Sequence, residues 1–85
     1  MQNKTQYLIC KLQEEAAEVI QAVSKINRFG EANKHPDRTT TNKQELVQEL
    51  EDLLAILAVL EQMGWLDLTP SRQNIANKAK ALITG

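Results

Sequence analysis

Apolar residues recur at intervals of three and four between about Lys4 and Phe29, at Leu8, Leu12, Val19, Val23 and Ile26, the period of an amphipathic helix. Gly30 is placed to stop that helix. Residues 31–41 hold no apolar side chain larger than Ala32 and include Asn33, Pro36, Asp37 and a run of threonines, which predicts a polar loop. Helical periodicity resumes after Asn42, an expected N-cap with Glu45 in the capping position, and runs to about Gln62 before Gly64. Trp65, Leu66 and Leu68 form an apolar connector. Thr69 and Pro70 then predict an N-cap followed by proline at the first helical position, opening a third helix through Leu82. Nothing alternates with the period of a strand, and there is no internal repeat. The pattern therefore predicts an all-α fold in a single domain over residues 1–85, a three-helix protomer whose first two helices form a helix-loop-helix unit.

Length qualifies that picture. A chain of 85 residues buries a smaller share of its surface than a larger domain does, so its own core is marginal and a homo-oligomer, a helical-bundle dimer or tetramer, is expected. With 10 Lys+Arg against 11 Asp+Glu there is no basic excess of the kind that neutralises a phosphate backbone, which argues against nucleic acid as a partner. The single Cys10 rules out an intrachain disulfide framework; it fits a reducing compartment and is expected to face inward as a small hydrophobe. The polar start of the chain lacks a basic segment leading into a long apolar one, and no uncharged run approaches membrane-spanning length. A soluble cytoplasmic protein with no membrane partner is expected.

Against this background the acidic residues stand out. Glu15 and Glu18 in the first helix, and Glu49 and Asp52 in the second, form two i, i+3 pairs inside strongly apolar stretches. At about 100° per residue, Glu15 falls within the arc of Leu8, Leu12, Val19, Ala22 and Ile26, with Glu18 at its margin on the same side as Lys25. Glu49 and Asp52 share an arc with Leu53, Ile56, Val59 and Leu60, whereas Glu51 projects with Ala55 and Ala58 as an ordinary acid. Like charges at this spacing disfavour a helix by roughly 0.2–0.5 kcal/mol per pair, and burying an unpaired carboxylate costs considerably more. Glutamate is also a good helix former, and one such pair alone would suit a solvated face. Two inward pairs on two long helices point instead to a hard divalent cation with oxygen ligands. Carboxylate bundles for transition metals add a histidine one turn from a glutamate, and here His35 lies in the polar loop, which argues against di-iron chemistry and structural zinc. Mg2+ is the expected ion, with Mn2+ as a substitute.

The segment Glu14-Glu15-Ala16-Ala17-Glu18 resembles the EExxE motif, and Glu49-Leu50-Glu51-Asp52 the ExxD motif, of the MazG-like all-alpha nucleoside triphosphate pyrophosphohydrolases. Lys25-Ile26-Asn27-Arg28-Phe29-Gly30 and Asn42-Lys43-Gln44-Glu45-Leu46 are similar to the short phage and bacterial members. The resemblance covers most of residues 8–64, and the thirty residues between the motifs imply an extended loop. It implies hydrolysis of a nucleoside triphosphate to the monophosphate and pyrophosphate, with Glu15, Glu18, Glu49 and Asp52 as catalytic metal ligands and Glu14 beside them. Such chemistry needs no Ser or Cys nucleophile, because metal ions draw charge from the phosphates and orient a water. A Tyr-His pair, typical of the related phosphoribosyl-ATP enzymes after the second motif, is replaced here by Leu54-Ala55-Ile56-Leu57, which disfavours that substrate.

Four further residues are candidate substrate contacts. Lys25 lies two turns after Glu18 on nearly the same face, where it meets either a phosphate or a nearby acid. Arg28 points further round the helix, toward solvent or a subunit contact as readily as substrate; Asn42 is a cap first and a nucleotide ligand by resemblance; Lys78, with Lys80, either approaches phosphates, across a subunit boundary, or covers a solvated face. Phe29 and Trp65 are expected as core or interface anchors rather than base-stacking platforms, and His35 as an exposed loop residue with stacking on a base as the alternative. The competing class is a noncatalytic helical oligomerisation or regulatory module, which accounts for the apolar second helix but not for the inward acids.

Overall fold

The computed structural model describes residues 3–85 and contains three α-helices: α1 (Lys4–Phe29), α2 (Asn42–Gln62) and α3 (Arg72–Thr84), with a 3-10 turn at Thr69–Ser71 before the last. Among the described residues the extended pairing is limited to an isolated antiparallel bridge between Lys34 and Thr41. Among the described residues no helix is long and apolar enough to cross a membrane.

Both long helices begin with reciprocal caps that satisfy their first free N–H groups. Asn3 Oδ1 accepts from Gln6 N at 2.8 Å, and Gln6 returns the bond to Asn3 N. In α2 the cap is Thr41, whose Oγ1 accepts from Gln44 N at 3.1 Å while Gln44 Oε1 accepts from Thr41 N at 2.8 Å. The expected cap at Asn42 with Glu45 is therefore displaced by one residue. Thr41 and Gln44 match the hydroxyl-and-amide pattern of a capping box equally well, which frees Asn42 and Glu45 for tertiary roles.

Glycines end the helices where expected. Gly30 adopts φ +92°, and Gly64, at φ +74°, forms a Schellman turn in which Trp65 N donates to Leu60 O and Gly64 N to Glu61 O. At the third helix the sequence and structure differ: Thr69 and Pro70 form the 3-10 turn, and the α-helix begins only at Arg72 and continues to Thr84, beyond Leu82.

Helices α1 and α2 run antiparallel and pack along their length, since Gly30 meets Asn42 at one end and Trp65 lies with Thr5, Ile9 and Cys10 at the other. The intervening loop is tightly tied. Asn42 N donates to Asn33 O at 2.8 Å, Lys43 N to Glu31 O at 3.0 Å, and the buried Asn42 side chain donates through Nδ2 to Gly30 O at 3.0 Å. Asn42 thus joins the end of one helix to the start of the next.

The hydrophobic core is thin. Leu8, Ala22 and Leu60 are the buried apolar residues among those described, and of these only Leu60 is fully buried, whereas Leu54, Val47 and Ile20 are half or more exposed. Cys10 is exposed rather than inward, and Trp65 and Phe29, each more than half exposed, do not anchor a core. Among the described elements helix α3 packs on the 3-10 turn alone, and it leaves Ile75, Leu82 and Ile83 open. The Cα radius of gyration is 15.8 Å. A compact chain of this length has about 12 Å. Asn42→Ala is expected to lower the unfolding free energy by about 1–3 kcal/mol, because Gly30 O loses its donor in a part-buried setting; urea titration at fixed protein concentration measures it.

Candidate metal centre

Packing α1 antiparallel against α2 brings the acidic motifs face to face. Glu15, Glu18 and Glu49 each offer a carboxylate oxygen, and these atoms lie within 4.8 Å of one another. Glu15 and Glu49 are half-buried, and each keeps Oε2 enclosed with no hydrogen-bond partner. Enclosed carboxylate oxygens without donors are what a hard cation replaces water for, so the residues present fit a divalent ion bound through oxygen.

Their protonation reflects the crowding. Glu49 is pushed up to about 7, first by a hydrogen bond shared with the Glu18 carboxyl, then by burial and by the charges of Glu18, Glu15 and Asp52. Burial raises Glu15 as well, followed by the charges of Glu18 and Asp52, with Lys11 opposing weakly.

The remaining expected residues divide. Asp52 is exposed and outside the 4.8 Å group, yet close enough for its charge to act on both Glu15 and Glu49. Glu14 faces away and accepts from Lys11 Nζ at 3.3 Å. Lys25 lies beside the acids and lines two cavities. One, about 190 Å³ and polar, is bounded by Glu18, Gln21, Ala22, Arg38, Glu45 and Glu49. The other, about 200 Å³ and largely apolar, is bounded by Phe29, His35, Pro36, Asn42 and their neighbours. Phe29 and Asn42 therefore belong to the site's surroundings. Arg28 lines neither cavity; its guanidinium stands 5.0 Å over the Phe29 ring. Lys78, on α3, is not brought to the acids within one chain.

Two residues of this site are not among the candidates the sequence singles out. Arg38, in the polar loop, forms an ion pair with the buried Glu45, a residue expected to cap α2. A signal for Glu45 was present: with Glu49 and Asp52 it makes an i, i+4, i+7 stripe, the same face as the second acidic motif. For Arg38 there was none, because a loop has no period from which direction can be read.

The MazG nucleotide pyrophosphohydrolase domain family matches residues 3–81, nearly the whole chain. The chain belongs to this family, and its three helices are the all-α architecture expected from the resemblance. Neither a curated protein nor a solved structure matches it.

The acid cluster sets a pH dependence. Glu49 titrates at 4.5 when unfolded and near 7 when folded, so between these values the native state holds more protons. Its contribution to stability is full at the acid end and is lost as pH rises through 7. Metal-free protein in EDTA is expected to melt at a lower temperature at pH 8 than at pH 6 from this cause, and Glu49→Gln to flatten the difference. Added Mg2+ competes with the shared proton, so it should raise the melting temperature more at pH 8 than at pH 6. Differential scanning fluorimetry across both pH values tests the two statements together.

Proposed function

We propose that this protein hydrolyses nucleoside or deoxynucleoside triphosphates to the monophosphate and pyrophosphate in a Mg2+-dependent reaction, in the cytoplasm, with Mn2+ able to substitute. The observation that carries the proposal is the convergence of Glu15, Glu18 and Glu49 from both family motifs beside a polar cavity containing Lys25 and Arg38.

Glu15, Glu18, Glu49 and Asp52 would hold the metal, with Asp52 turning in from one helical turn beyond Glu49. When bound, the ion supplies charge neutralisation for the phosphates and a lowered pKa for water. The chain does the rest. Lys25 and Arg38 present positive charge to phosphate oxygens in the polar cavity, Arg38 with a fork suited to two of them. Glu18, the exposed member of the trio, accepts the proton of the attacking water as its oxygen bonds to phosphorus. The bridging bond between the α and β phosphates breaks and pyrophosphate leaves. The apolar cavity with Phe29, His35 and Pro36 takes the base, and Asn42 holds its wall in place. Arg28 acts through Phe29, whose ring its guanidinium covers.

A nucleotide panel with Mg2+ is expected to yield pyrophosphate and a monophosphate from at least one (d)NTP; no turnover on any would reject the reading in favour of a noncatalytic helical module. Glu49→Gln should reduce kcat by at least about 100-fold while circular dichroism stays unchanged, since losing a ligand costs at least as much as losing its supporting partner. Full activity in that variant rejects Glu49 as a ligand.

A homo-oligomer, dimer or dimer of dimers, belongs to the same proposal. Val47, Leu50 and Leu54 make an exposed apolar stripe on α2, Ile20 and Val23 another on α1, and α3 carries Lys78 and Lys80 free of contact with either helix. A second copy would cover the stripes and allow Lys78 to approach its neighbour's phosphates. Light scattering after gel filtration should give a multiple of the 9.6 kDa chain mass, and Leu54→Glu should shift it toward monomer. A wild-type monomer at every concentration rejects the assembly.

A further inference from the structure

Glu45 stands outside both acidic motifs, and its surroundings differ from theirs. It lies in the first turn of α2 and is only 8% exposed. Arg38 pairs with Oε1, whereas Oε2 is enclosed and has no hydrogen-bond partner. An ionised carboxylate offers about four acceptor sites over its two oxygens, and a buried oxygen left without a donor is costly. Glu45 is also at the junction of the two cavities, a position it shares with Lys25.

A nucleotide has its chemistry in the same order as these cavities. With phosphates in the polar cavity beside Glu18 and Glu49, and the base in the apolar cavity against Phe29 and Pro36, the sugar falls at the junction. The donors a sugar offers are hydroxyls. Lys25 is itself a donor and suits phosphate oxygens; Glu45 Oε2 is an acceptor and suits an O–H. We propose that Glu45 Oε2 accepts a hydrogen bond from a sugar hydroxyl of the bound nucleotide, which makes Glu45 the sugar-binding residue of the site. Arg38, besides facing the phosphates, holds Oε1, so Oε2 is the oxygen of Glu45 left without a donor. The inference rests on the pyrophosphohydrolase reading above and adds to it a contact that the metal-binding acids do not make.

The test is kcat/KM on one base presented as the ribo-, 2′-deoxy-, 3′-deoxy- and 2′,3′-dideoxynucleoside triphosphate. In the wild type, removing the recognised hydroxyl should lower kcat/KM by about 10- to 100-fold, the range for a hydrogen bond to a charged acceptor. In Glu45→Ala the same removal should cost less than about threefold, since the acceptor is gone. A variant weakened by one common factor on all four sugars assigns Glu45 a structural role and overturns the proposal, as does a hydroxyl preference that survives the substitution. If Glu45→Ala does not fold, the wild-type series still decides: dideoxy and ribo substrates turned over within about twofold of each other exclude the contact. Absence of pyrophosphate from all four substrates is a different result, for it removes the catalytic reading itself and the sugar contact with it.

Discussion

Carboxylates that would repel one another in isolation are held together because the antiparallel packing of α1 on α2 leaves them no other place. Glu15, Glu18 and Glu49 bring oxygens within 4.8 Å, and two of those residues have an oxygen shut away from any donor. A hydrogen bond with the Glu18 carboxyl, burial and the neighbouring like charges push Glu49 up to about 7, the cost of holding these carboxylates together without a cation. The fold around the acids is thus organised less by a large core than by whatever keeps two helices in register against this repulsion.

That register is set at the loop. The Asn42 side chain bonds to Gly30 O, and the main chain of Asn42 and Lys43 bonds back to Asn33 and Glu31. Helix ends are thereby tied through fixed donors and acceptors, and each step down the hairpin brings the next pair opposite: Lys25 with Glu45, then Glu18 with Glu49. Two cavities lie along the same axis, an apolar one at the loop and a polar one beside the acids, with Lys25 and Glu45 lining both. A short chain obtains a graded site because a helical hairpin presents one residue from each side at every turn.

The small core has a counterpart in the exposed surface. Leu8, Ala22 and Leu60 carry the burial, while the stripe of Val47, Leu50 and Leu54 remains open and α3 rests only on its own 3-10 turn. Large apolar side chains on both long helices are thus directed away from their own chain. The hairpin positions the acids, and the open stripes are where further packing would stiffen it.

Much of the fold was legible from the residues alone. The limits of α1 and α2, the glycine stops at Gly30 and Gly64, and the facing of Glu15, Glu18 and Glu49 follow from helical period and from backbone conformations that suit glycine, which are local properties. Where two local solutions were equally good, the choice went otherwise: Thr41 with Gln44 capped α2 in place of Asn42 with Glu45, and Arg72 began α3 in place of the residues at Thr69. Only tertiary structure decided what those released side chains do. Glu45 becomes a buried acid paired with Arg38, Asn42 becomes the tie between helices, Phe29 becomes a cavity wall, and Cys10 turns outward. The physical reason is the same in each case. A helix's period says which residues share a face, but what that face meets depends on a loop whose path has no period and is set by hydrogen bonds between residues distant in sequence.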